Sequence, residues 1–215
     1  MNSIISHEKE LMRKQIWDLL YEKRLSKRSQ GDHNKIPYFK GSAAAAERLA
    51  KTIEWSKCQT IFCSPDSAQK KVRELVLKQK INLIMATPKL KDGYLLLNGK
   101  KLEGKEKMAS TIGGAFKYGK PVNNLPIVDL VVEGSVAVDK NGNRLGKGGG
   151  FGDREINNLF TEKSIKTSTP IVTTIHPQQI LPKVPVESHD QKINMIVTPN
   201  EVIRIFQDPK VITVK

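Results

Sequence analysis

Cysteine is nearly missing from this chain: Cys58 and Cys63 are the only two in 215 residues. Five positions apart in a segment that reads as a strand, they are expected to face opposite ways, so the sequence offers no disulfide framework and no two-cysteine metal site. His7, His33, His176 and His189 are scattered without metal-ligand spacing, which removes a zinc centre from consideration. Long apolar runs are missing too, none approaching the roughly 18 residues that cross a bilayer. Residues 1–9 have neither the charged start and apolar stretch of a secretory leader nor the acid-poor pattern of a transit peptide, so a cytoplasmic protein with no membrane partner is expected. Acidic residues are in short supply: 22 Asp and Glu against 36 Lys and Arg leave a net charge of +14. Such a surface attracts nucleotides, nucleic acids and small polyanions alike. Aromatics make up 6% of the chain and the basic residues are spread along it, which argues against a nucleic-acid surface.

What is present is the composition of a globular protein, 38% hydrophobic and 27% charged with mean hydropathy −0.40, enough for one domain over residues 1–215. Leu11, Ile16, Leu19 and Leu20 recur at helical spacing within residues 6–24. Residues 42–53 are alanine-rich and predict a second helix capped by Ser42. Residues 60–63, a helix over 67–78 and a run over 81–86 form a strand-helix-strand unit, which favours a parallel sheet. Near-continuous apolar runs over 128–132, 170–175 and 193–197 read as strands covered on both faces, with a helix over 153–163 between the first two. The expected fold is a three-layer αβα arrangement around a mostly parallel, doubly covered, Rossmann-like sheet, with ligands beyond the carboxyl ends of its strands.

The chemistry concentrates in residues 144–153. Asn141-Gly142 between short apolar pieces signals a tight hairpin that feeds a loop containing Gly146, Gly148, Gly149, Gly150 and Gly152. Glycines at this density let successive backbone N–H groups converge on an anion at the start of a helix, and Arg144 and Lys147 add positive charge. No Gly-Lys-Ser/Thr follows, so this is not a Walker A loop. On residues alone the same segment also fits a flexible turn with Asp153 as a helix cap, Lys9 and Arg13 fit a solvated pair one helical turn apart, and Asp190 fits a turn. Trp17 and Trp55 read as packing residues.

These residues, taken together, resemble the 5-formyltetrahydrofolate cyclo-ligases, also called methenyltetrahydrofolate synthetases. That family's glycine loop runs Arg-Leu-Gly-Arg/Lys-Gly-x-Gly-Tyr-Tyr-Asp after a Gly-Val-Ala-Phe-Asp strand, and residues 135–139 followed by 144–153 match it at the same spacing. Its early Lys-x-x-x-Arg helix is matched by Lys9 and Arg13. Its late strand, Gln and Pro-x-x-x-His-Asp are matched by residues 171–175, Gln179 and residues 185–190. Residues 36–42 and 134–138 are most similar to the divergent methenyltetrahydrofolate synthetase domain-containing branch. The resemblance implies a ligase that closes 5-formyltetrahydrofolate, or a related reduced pterin, to the 5,10-methenyl form at the expense of ATP and Mg²⁺. It implies that Arg144 and Lys147 serve catalysis and that Lys9, Arg13, Arg144, Gly146, Lys147, Gly148, Gly149, Gly150 and Asp153 hold ATP. Asp153 and Asp190 would hold the magnesium, and Asp66, Phe151 and Gln179 the folate.

Two positions depart from the family: Phe151-Gly152 stands where two tyrosines are common, and Asp66 stands near the family's folate-contacting Glu. A nucleotide- or folate-binding protein without ring closure, and a basic nucleic-acid-associated factor, are the alternatives. A monomer or weak dimer is expected.

Overall fold

The structure is a computed structural model that describes residues 2–205. Its elements in chain order are α1 (Asn2–Glu22), α2 (Ser42–Leu49), α3 (Ile53–Ser56), β1 (Thr60–Cys63), α4 (Lys70–Lys78), β2 (Asn82–Ala86), β3 (Tyr94–Leu97), α5 (Glu106–Ala109), α6 (Ile112–Tyr118) and β4 (Lys120–Val122). There follow β5 (Leu130–Glu133), β6 (Ala137–Asp139), β7 (Arg144–Leu145), α7 (Phe151–Thr161), β8 (Ile171–Thr174), β9 (Ile180–Leu181), β10 (Met195–Val197) and β11 (Val202–Arg204).

An 8-stranded sheet runs in the order β11-β10-β8-β5-β1-β2-β3-β4. The inner strands β10, β8, β5, β1 and β2 are mutually parallel, and antiparallel strands close both edges. Alternation along each strand divides the core. Ile61, Cys63, Leu130 and Val132 pack on one face with Leu49, Trp55, Val72 and Val76 from α2, α3 and α4. Phe62 and Val131 point the other way, to Ile156 and Leu159 of α7. A three-stranded sheet, β7-β6-β9, stands apart from the main one, and α1 covers it through Ile16, Trp17 and Leu20 against Val136, Ala137 and Leu145.

The mixed α/β architecture with a mostly parallel sheet is as expected; several local readings are not. Cys58 lies before β1 rather than in it, and both cysteines are free and buried, with their thiols pushed up to about 12 by burial. Ser42 is the first residue of α2 and not its cap; the cap is Gly41, at φ 95. The helix after the glycine loop starts at Phe151, so Asp153 lies inside its first turn and Gly150 is the cap.

Sequence order reverses between β1 and β5: the chain steps from β1 to β2 on one side, and from β5 to β8 to β10 on the other. In open α/β sheets that reversal opens a crevice beyond the strand ends, and it is where this chain collects its polar side chains.

Candidate active site

Asp66 lies in the turn after β1 and Glu133 is the last residue of β5, so the two carboxyl groups flank the reversal. The chain then leaves the main sheet for the β6–β7 hairpin. Its turn spans residues 140–143 and is built on the buried Asp139 carboxylate, which accepts the backbone N–H of Asn141, Asn143 and Val184 and the side-chain amide of Asn143. That anchor is why the Asn-Gly signal yields a longer turn than the two-residue kind. β7 delivers Arg144 to the crevice, and the loop after it ends at Gly150, whose φ of 63 suits a residue without Cβ. No side chain caps α7 there, so its first-turn N–H groups stay open to an anion.

Two cavities meet at this loop. The smaller, about 260 Å³, is lined by Lys9 and Arg13 from α1, by Gly146, Gly148 and Gly150, and by Arg144, Asp153, Glu187, His189 and Asp190. Lys9 is buried and its Nζ bridges Glu187 at 2.8 Å and Asp190 at 2.6 Å. That hydrogen bond holds the Glu187 carboxyl below the usual range. Arg13 donates its Nε to the Gly146 carbonyl at 2.8 Å, which ties the glycine loop to α1. The larger cleft, about 360 Å³, has Ile36, Pro65, Pro88, Ile112 and Phe151 on its walls and Asp66, Lys147, Glu133 and Glu155 among its polar groups.

Arg144 belongs to both cavities, as do Gly146, Gly150 and Asp153. Its guanidinium donates to Asp153 at 2.7 Å and to the Gly134 carbonyl at 3.1 Å. Burial opposes its charge, but Asp153 and Glu133 outweigh that and keep it protonated. Lys147 pairs with Asp66 at 2.8 Å on the larger cleft. Glu133 and Glu155 lie 2% and 3% exposed. Burial first, and the Glu155 charge second, push Glu133 well above the usual carboxylate range; burial pushes Glu155 up to about 7.

Of the residues singled out in the sequence, Lys9, Arg13, Arg144, Gly146, Gly148, Gly150, Asp153 and Asp190 surround one cavity. Lys147, Gly149, Phe151 and Asp66 open onto the larger cleft instead. Gln179 lines neither. It is fully buried, donates to the carbonyls of Ser135 and Val136 and accepts from the His176 N–H, so its amide is spent inside the fold rather than on a ligand.

Sequence reasoning missed Glu133, Glu155 and Glu187. The signal for the first was an acid closing an apolar strand at its carboxyl end, and for the second an acid beside Ile156 on the apolar face of a helix. It also missed Arg73, fully buried in α4, whose guanidinium donates to the carbonyls of Ser64, Asp66 and Ser110 and so fixes the turn carrying Asp66.

A Rossmann-like sheet, an open helix start behind a glycine loop, and a cavity of paired basic and acidic side chains adjoining an apolar-walled cleft define an α/β protein with a two-part site at the reversal of its strand order. Residues 5–199 match the model of the 5-formyltetrahydrofolate cyclo-ligase family, and the chain belongs to that family. It is 36% identical over 205 residues to the methenyltetrahydrofolate synthase domain-containing protein of Bos taurus, covering 91% of this chain and 53% of that one. It thus spans about half the length of the curated relatives of that name. It is 24% identical over 177 residues to a probable 5-formyltetrahydrofolate cyclo-ligase of Schizosaccharomyces pombe, covering 76% of this chain and 86% of that one. Its fold is similar to the NMR structure of Aquifex aeolicus 5,10-methenyltetrahydrofolate synthetase, with TM-score 0.59, 19% identity and coverage of 94% and 95%.

Proposed function

We propose that the chain closes 5-formyltetrahydrofolate, or a related reduced pterin, to its 5,10-methenyl form with ATP as phosphoryl donor. The observation that carries this is the junction of the two cavities at Arg144 and Asp153; a phosphate held on one side would face an organic group held on the other. Family membership supports the same chemistry.

In this reading Lys9, Arg13 and the N–H groups of the glycine loop and of the first turn of α7 bind the ATP phosphates. Arg144 sits where negative charge grows as the formyl oxygen attacks the γ-phosphorus, the bond from that phosphorus to the bridging oxygen breaks, and ADP leaves. N10 then forms its bond to the formyl carbon and gives up its proton, the carbon–oxygen bond breaks, and inorganic phosphate leaves. The chain supplies positioning and fixed positive charge; the nucleophile is the substrate's own oxygen. Asp153 and Asp190 fit a magnesium ion arriving with the nucleotide. Both line the phosphate cavity, offer hard oxygen ligands, and Asp153 Oδ2 accepts no hydrogen bond among the described residues. Such an ion would neutralise phosphate charge. On arrival it would compete with the Lys9 ammonium for Asp190.

The test is to incubate purified protein with MgATP and 5-formyltetrahydrofolate while following methenyl absorbance and phosphate release. Both products are expected in equal amounts. Binding of ATP and folate without either product would overturn the ring-closing reading and leave a binding protein.

A further inference from the structure

Among the described residues, no N–H or O–H group of the chain donates to the side-chain carboxyls of Glu133 or Glu155, although both lie on the larger cleft and are more than nine-tenths buried. Glu133 Oε1 is buried without a hydrogen-bond partner. A Cβ at Gly152 would come within 3.2 Å of Glu133 Oε2, so the missing side chain there keeps the space in front of the carboxyl open. The nearest cation, Arg144, donates to Gly134 and Asp153 and to neither of these carboxyls, and its Nε is buried without a partner. A proton shared between the two carboxyls would engage two of their four oxygens and leave the other two open. Buried acceptors without donors are costly, and folded proteins keep few of them.

The occupant they call for is not a phosphate, which acidic groups repel. Lys9, Arg13 and the glycine loop line the other cavity, whereas Lys147 on this cleft is already paired with Asp66. The walls in front of the pair include Ile36, Pro88, Ile112 and Phe151, a setting for a flat ring. A flat ring with neighbouring N–H donors on one edge, amidine- or guanidine-like, matches two carboxyls side by side.

Resting on the reduced-pterin reading above, we propose that Glu133 and Glu155 are specificity-determining residues that receive the amidine-like N–H edge of the substrate's nitrogen ring, while the ATP phosphates occupy the neighbouring cavity. Calorimetric titration tests it. ATP and 5-formyltetrahydrofolate are each titrated into the wild type, Glu133→Gln, Glu155→Gln and the double variant, with thermal unfolding as the check on folding. The same set is titrated with an analogue whose ring 2-amino group is replaced by methyl.

Each variant is expected to weaken folate binding about 10- to 100-fold while ATP affinity stays within about twofold. The analogue should bind the wild type more weakly by a similar factor and lose nothing further in the double variant. Variants that bind 5-formyltetrahydrofolate as the wild type does, or that lose ATP instead, overturn the assignment. So does an analogue penalty that persists in full without the carboxyls. Should the double variant not fold, the single variants and the analogue on wild type decide the matter. A wild type that does not bind 5-formyltetrahydrofolate sinks the functional reading and this assignment together; a wild type that turns it over beside unaffected variants sinks this assignment alone.

Discussion

Arg144 grips Asp153 and the Gly134 carbonyl with one guanidinium, and both partners line the crevice or form its edge. Arg144→Met leaves the Asp153 carboxylate without its buried counter-charge, and should cost about 3–5 kcal/mol in urea unfolding, together with a clear loss of ATP affinity. A second expectation concerns Glu155, whose carboxyl moves from an ordinary 4.5 to about 7 on folding. Because the folded-state value is the higher one, the folded state holds the proton more tightly. The associated stabilisation is fully present below pH 4.5 and is lost as pH rises through about 7. Unfolding free energies of wild type and Glu155→Gln measured across this range should diverge with rising pH, the wild type losing on the order of 3 kcal/mol relative to the variant. Parallel curves would show that the carboxyl is not held neutral.

At the scale of elements, the β6–β7 hairpin is the piece on which the glycine loop hangs. Asp139→Ala removes the acceptor for its turn and for the Val184 N–H, so a loss of about 2–4 kcal/mol is expected from chemical denaturation, with weaker ATP binding as the loop loses its footing. How the sequence revealed these elements divides along physical lines. Runs such as residues 128–132 were legible because a parallel strand buried on both faces is nearly continuously apolar. Residues 94–122 carry no legible pattern. There the strands are antiparallel edge pieces and the helices are short, so no period extends far enough to stand out. The hairpin was legible from Asn-Gly, but its place in a separate small sheet was not, since that depends on β9 arriving from residues 180–181. Within the candidate site the glycine loop announced itself by composition. The buried acids did not, because one charged residue at the end of an apolar run looks like the start of a loop until the strand order is known.

For the whole molecule, the proposal that residues 1–215 fold as one domain has a direct check. Trp55 is packed in the core beside α4, and Trp17 lies in the cluster under α1. Single-tryptophan variants made with Trp17→Phe or Trp55→Phe should report the same urea midpoint if both clusters melt as one unit. Separated midpoints would divide the chain. Among the described residues no helix is long and apolar enough to cross a membrane. The Lys9–Asp190 contact joins positions 181 apart in the chain. Closing so long a loop confers little until the intervening strands are ordered, so this contact is expected to form late in folding. A chain that ends anywhere between the two positions lacks one side of the cavity that Lys9 and Asp190 line, and the nucleotide binding proposed for it would then report that folding has run to completion.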